Sequence, residues 1–168
     1  MGITEDGIIM KRYIGVKDIL GREMNRKEYN DYRGWEVPSD ENPNDEGYLV
    51  EYLNSPNSNH PNHKNYISWS PRDVFEEAYR RTNGMPFGLA LEALKQGYKV
   101  YRTGWNGKGM WLGYVRESNT INFIDPYSNN LKNYRNYPYV VMKTVEDKIV
   151  PWLASQTDML SDDWCILD

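Results

Sequence analysis

Phe87, Ala90, Leu91 and Leu94 recur at the spacing of one helix face up to Gln96, and Gly97 stands where such a helix stops. Lys99-Val100-Tyr101-Arg102 follows as a strand. It runs into Thr103-Gly104-Trp105-Asn106-Gly107-Lys108-Gly109-Met110-Trp111-Leu112. From Tyr101 to Leu112 the chain packs two indoles, an amide, two cations and three glycines. Glycines let a backbone turn tightly and let another group come close. Indoles beside cations are what a protein offers to a flat, anionic ligand such as a nucleotide. The same residues also spell a glycine turn between two strands with half-buried tryptophans. Both readings stand at this point.

The remainder of the C-terminal half reads as strands at Met110–Val115, Thr120–Ile124, Pro138–Lys143, Ile149–Trp152 and Trp164–Leu167. A turn is expected over Asp125–Asn130 and a single helical turn over Ser155–Leu160. One main helix followed by an antiparallel meander is an α+β pattern. Upstream, Met1–Lys11 reads as a loose lead-in, Tyr13–Leu20 as a strand and Met24–Tyr32 as a helix. Asn25 and Glu28 have capping-box spacing, and Gly34 stops that helix. Gly47–Leu53 and Tyr66–Trp69 read as strands. Ser70-Pro71-Arg72-Asp73 starts a second helix, with Ser70 as cap and Val74, Phe75, Ala78 and Tyr79 as its buried stripe down to Arg81. Thr82-Asn83-Gly84 is the linker candidate. The expected organisation is a small α+β module over 1–83 and an antiparallel-sheet domain with one main helix over 84–168.

Composition limits the partners. The 14 Tyr and 6 Trp against 3 Phe favour binding surfaces as well as cores. The net charge of -4 argues against duplex DNA, which demands a basic face, yet leaves room for a local basic pocket. Cys165 is the only cysteine, so no intramolecular disulfide and no Cys-rich zinc site is expected. Met1–Lys17 has no cationic leader before an apolar run, and no apolar stretch is long enough to span a bilayer. A soluble intracellular protein is expected.

Few motifs carry chemistry. Asp40, Asn42, Asn44 and Glu51 fall at EF-hand positions, but Asp45 occupies the place that demands glycine, so a solvated turn is expected. His60 and His63 could chelate a metal, but their Asn/Pro/Ser loop lacks further ligands, and a polar surface loop is the reading. No nucleophile elbow, zinc-helix motif or P-loop occurs, and the C-terminal half has no histidine. Asp158, Asp162 and Asp163 read as surface or capping carboxylates, and Cys165 as an inert core residue. No catalytic residue, metal or cofactor is expected.

From Met85 to Asp168 the chain resembles the Thoeris anti-defence 2 family of bacteriophages. The resemblance rests on Phe87-Gly88-Leu89-Ala90-Leu91-Glu92-Ala93-Leu94-Lys95-Gln96-Gly97, on Arg102–Met110, on Ile149–Trp164 and on Met142-Lys143-Thr144. Tyr29–Trp35 and Ile67–Pro71 resemble an uncharacterised segment met beside this domain, which carries no function to transfer. The resemblance implies a sponge: a small α+β protein that binds cyclic ADP-ribose isomers, such as glycocyclic ADP-ribose, made by bacterial TIR proteins. Such a protein holds its ligand uncleaved, and some members also take cyclic dinucleotides at a separate site. It further implies a homo-tetramer with pockets between protomers, in the cytoplasm of the infected bacterial host, with no nucleic-acid polymer or membrane as partner.

Residue chemistry assigns roles within that expectation. Trp105, Trp111 and Phe87 are suited to stack on adenine, and Trp152 joins them as a contact. Arg102 and Lys108 suit a diphosphate. Asn106, Ser155, Gln156 and Asp158 suit ribose hydroxyls or a base edge. Each has a structural alternative: Phe87 and Trp152 as core, Arg102 paired with a carboxylate, Ser155 as a helix cap and Asp158 satisfying a backbone amide.

Overall fold

A computed structural model describes residues 2–3, 9–10, 13–124 and 127–167. The chain forms two compact units, Met1–Tyr79 and Arg80–Asp168. Both combine helices with antiparallel sheets, an α+β fold.

In the first unit, Gly2–Ile3 (β1) and Ile9–Met10 (β2) pair antiparallel within the stretch expected to be a loose lead-in. Ile19–Glu23 (β3), Gly47–Tyr52 (β4) and Ile67–Pro71 (β5) form a three-stranded sheet in chain order. The expected first strand therefore starts too early. Pairing begins only at Ile19 opposite Tyr52, and Tyr13 and Ile14 project into solvent. Helix α1, Arg26–Arg33, keeps its predicted punctuation: the reciprocal Asn25–Glu28 capping box at 2.8 Å on both sides, and Gly34 at the end. It packs Tyr29 on Leu49 and Ile67, and the Trp69 indole donates to the Met24 carbonyl at 3.0 Å.

Helix α2, Arg72–Ala78, starts later than predicted because Ser70 and Pro71 are taken by pairing with Tyr48 and Gly47. Ser70 is not its cap, and no α2 residue is buried, since Val74 and Ala78 face solvent. The histidine loop is also less superficial than expected. His63 Nδ1 lies 2.7 Å from Glu51, its Nε2 lies 2.9 Å from the Tyr32 hydroxyl, and the His60 ring stacks on Tyr32 at 4.5 Å. The His63 hydrogen bond is the main cause holding the Glu51 carboxyl below its usual range. In the acidic loop, Arg26 grips Glu41, and the Asn42 side chain accepts from the Asn44 amide.

In the second unit, α3 spans Phe87–Gln96 as the spacing predicts, with Gly97 at φ 102°, where a side chain would be strained. Its buried face carries Ala90, Ala93 and Leu94, with Phe87 and Leu89 packed alongside rather than Leu91. The helix lies on a five-stranded antiparallel sheet. Its strands are Lys99–Arg102 (β6), Trp111–Val115 (β7), Tyr139–Lys143 (β10), Ile149–Pro151 (β11) and Trp164–Leu167 (β12), ordered β11-β10-β7-β6-β12. This is not a meander. The last strand returns across the sheet to pair with β6, placing Trp164 opposite Arg102. Ser118–Ile124 (β8) and Leu131–Asn136 (β9) form a separate hairpin, and β9 is absent from the sequence reading. Of the turn expected between them, Asp125 and Pro126 lie outside the described residues. Thr82, read as linker, accepts from the Ile166 amide at 2.8 Å.

Candidate functional site

The site grows from the end of β6. Val100 is fully buried and points toward α3, so Arg102, two residues on, lies on the same face of the sheet. There its guanidinium is shared. Nε donates to Asp163 at 2.7 Å and Nη1 donates to Asp158 at 2.8 Å, with all three side chains largely shielded from water. Asp163 precedes β12, and Asp158 lies on the one-turn helix α4, Gln156–Met159. One cation thus ties a strand end, the lead into another strand and a short helix together.

The carboxylates pass that order on to the glycine loop. Asp163 Oδ2 accepts from the Gly104 amide at 2.7 Å, and its carbonyl accepts from the Thr103 amide at 3.2 Å. A side chain on Gly104 would stand 2.7 Å from that carboxylate oxygen, so only glycine lets it approach. Asp158 Oδ1 accepts from the Trp105 indole at 3.1 Å as well as from Arg102. Its other oxygen accepts from the Ser155 hydroxyl at 2.6 Å and the Ser155 amide at 3.2 Å, while the Asp158 amide donates back to Ser155. At the far end of the loop, Gly109 takes φ 74° and its carbonyl accepts from Lys143 at 3.3 Å.

Electrostatics follow from these bonds. Burial raises the Asp158 carboxyl, but hydrogen bonds from Ser155, Arg102 and Trp105 outweigh it and hold the group at about 2. Asp163 is lowered chiefly by Arg102, and Arg102 is raised chiefly by Asp163. At neutral pH the trio is one guanidinium between two carboxylates.

Beneath the trio lies an aromatic cluster centred on Trp164, which is fully buried. Trp105 and Trp152 meet it edge-on at 5.5 Å and 6.1 Å, and Phe87 lies tilted against it at 5.4 Å. The Trp164 indole donates to the Asp158 carbonyl at 3.0 Å. The loop and α4 therefore rest on a packed floor.

The sequence profile of the Thoeris anti-defense 2-like domain matches residues 85–167. The protein Thoeris anti-defense 2 of Bacillus phage SP01 is 42% identical over 87 residues, which cover 49% of this chain and 94% of that protein. The chain belongs to the Thoeris anti-defense 2-like family. That membership places its second unit among phage anti-defence domains; residues 1–84 lie outside the match. Among the described residues no helix is long and apolar enough to cross a membrane.

Within the Thoeris anti-defense 2-like unit the structure gathers Phe87, Arg102, Trp105, Trp152, Ser155 and Asp158 into one connected network. Asn106 and Lys108 stand exposed on the glycine loop, and Gln156 is exposed at the first position of α4. Trp111 is not with them. Its neighbour Leu112 is fully buried against α3, so Trp111 projects from the opposite face of the sheet, where the Lys99 ammonium sits 4.3 Å over its ring. Several structural alternatives are realised: Arg102 pairs with carboxylates, Ser155 caps α4, and Asp158 accepts a backbone amide. Asp163 and Trp164 are central to the geometry yet absent from the sequence-derived contacts. Only their register opposite Arg102 reveals them, and a pairing across 61 positions leaves no local pattern.

Proposed function

We propose that the second unit captures a cyclic nucleotide defence signal and holds it uncleaved. A cyclic ADP-ribose isomer such as glycocyclic ADP-ribose is the first choice, and a cyclic dinucleotide the second. The observation that carries this reading is the pinned glycine loop. Trp105 is fixed at its edge by Asp158, while Asn106 and Lys108 next to it stay exposed. A preorganised loop loses little entropy on binding, which is where affinity is won. In this reading Trp105 stacks on a base, Lys108 meets the diphosphate, and Asn106 and Gln156 bond ribose or base edges. Arg102, Ser155 and Asp158 hold the frame, while Phe87 and Trp152 form its floor.

Sequestration requires tight binding: a nanomolar site takes about 12 kcal/mol. One stacked base supplies about 1–3 kcal/mol, so several contacts, with a second protomer contributing, fit the need. The proposed assembly is a homo-tetramer with pockets between protomers, in the cytoplasm of the infected host. Leu153 at 92% and Leu160 at 81% exposure flank α4 and offer apolar surface for such a contact. Asp158 supports holding over turnover, because a carboxylate held at about 2 is a weak base at neutral pH.

The test is incubation with cyclic ADP-ribose isomers, followed by denaturation and chromatography, with native mass spectrometry for stoichiometry. Intact ligand returned in stoichiometric amount is expected. Multiple turnovers would make the unit an enzyme and end this reading.

A further inference from the structure

The first unit carries a cleft that the family match does not reach. Its floor is one face of the β3–β4–β5 sheet. Val50 pairs with Ser68, so Tyr48, Val50 and Tyr52 share a face with Ser68, and so does Tyr66 opposite Tyr52. Helix α2 covers one end of this face. Phe75 stacks on Tyr48 at 3.9 Å, and a side chain on Gly21 would stand 2.7 Å from the Phe75 ring. Seven residues of helix span only about 10 Å, whereas the six residues of β4 extend about 20 Å. The Tyr52 end is left outside that cover. It forms a cleft of about 540 Å³, bounded by Tyr52, Tyr66 and Ser68 below and by Lys17, Asp18 and Ser55 at the rim. That volume falls in the roughly 300–1,000 Å³ range of small-molecule sites.

We propose that this cleft is a second ligand site, for a nucleoside monophosphate-sized molecule with a planar base, a sugar and one phosphate. The Tyr52 and Tyr66 rings lie 6.2 Å apart at 39°, and Tyr66 is 45% exposed, so a base can reach an aromatic face without unpacking the core. Tyr52 is fixed by its hydroxyl, 3.1 Å from Ser68, and by its amide, which donates to the Tyr66 carbonyl. The Lys17 ammonium is held 4.7 Å over the Tyr52 ring, which keeps a positive charge above the floor for a phosphate. Asp18 and Ser55 supply acceptors for sugar hydroxyls; a carboxylate has several lone-pair sites and can serve more than one donor.

The experiment is calorimetric titration of the full chain with adenosine 5′-monophosphate. Saturable binding, one molecule per chain, is expected. Tyr66→Ala should weaken it at least about fivefold, as loss of one stacked face implies, with the melting temperature unchanged. Lys17→Ala should weaken the monophosphate but leave adenosine alone unaffected. A saturating cyclic ADP-ribose isomer should not displace the monophosphate, which keeps the outcome independent of the second unit. No saturable binding up to millimolar ligand overturns the site, as does binding that both variants leave intact. Equal loss of adenosine and monophosphate in Lys17→Ala overturns the phosphate assignment, and displacement by the cyclic ligand reassigns the binding to the second unit.

Discussion

Asp158 links Trp105 of the loop to Arg102 on β6 and to Ser155 at the start of α4. It takes four hydrogen bonds, from Arg102, Trp105 and Ser155, and its ordinary value of 3.8 falls to about 2. A depressed folded-state value stabilises above the unfolded value, and that contribution disappears as pH falls through the folded one. The shift corresponds to about 2 kcal/mol. Asp158→Asn should therefore cost about that much in urea unfolding at neutral pH, and its deficit against the wild type should close between about pH 4 and about pH 2. A deficit that does not change with pH would mean the side chain acts through shape alone. Trp105→Ala should lower affinity for a cyclic ADP-ribose isomer by at least about 1 kcal/mol by calorimetry, the low end of one stacked base. Unchanged binding would place the pocket elsewhere. At this scale the sequence is informative about residue type and poor on allegiance. It marks Arg102 as a cation suited to phosphate, but the carboxylates that occupy it lie 56 and 61 positions away.

Elements were readable where their signals are local. The bounds of α3, the caps of α1 and α4, and β6 follow from spacing, capping residues and glycine stops within a few positions. Strands were readable where apolar residues concentrate, as in Tyr139–Lys143 and Trp164–Leu167, and not where the partner decides. The polar Leu131–Asn136 segment is a strand because β8 pairs with it, and β3 starts at Ile19 because β4 reaches no further. Helix α2 lost its predicted cap for the same reason: a neighbouring strand claimed Ser70 and Pro71. The stop at Gly97 gives an element-scale prediction. It stands at φ 102° between α3 and β6, and its amide donates to Leu94 and Ala93 carbonyls. Gly97→Ala should destabilise the second unit by about 1–2 kcal/mol in thermal or urea unfolding, because a β-carbon is disfavoured at positive φ. No loss would mean that the backbone there relaxes at no cost.

The whole molecule pairs two units that hold their cores differently. The second has a contiguous core of Met85, Ala90, Ala93, Leu94, Val100, Leu112 and Trp164, ringed by partly buried aromatics. Its last strand closes on β6, on Met85 through paired amide and carbonyl bonds, and on Thr82, so both of its ends are tied inside it. The Bacillus phage SP01 relative is spanned over 94% of its length by this portion of the chain. The first unit has a smaller cluster, Tyr29, Leu49 and Ile67, with Val50 buried on the other sheet face. Small domains bury a smaller share of their surface and are correspondingly marginal. A fragment of residues 80–168, which keeps Thr82, should therefore fold alone. It should show a cooperative melt, with a near-ultraviolet circular dichroism signal from Trp105, Trp152 and Trp164, and should keep the full chain's affinity for the cyclic ligand. Residues 1–79 alone should melt at a lower temperature. A fragment 80–168 that melts gradually, with no near-ultraviolet signal, would mean that the second unit does not hold the Trp164 core by itself, and the assignment of the anti-defence activity to the second unit alone would fail with it.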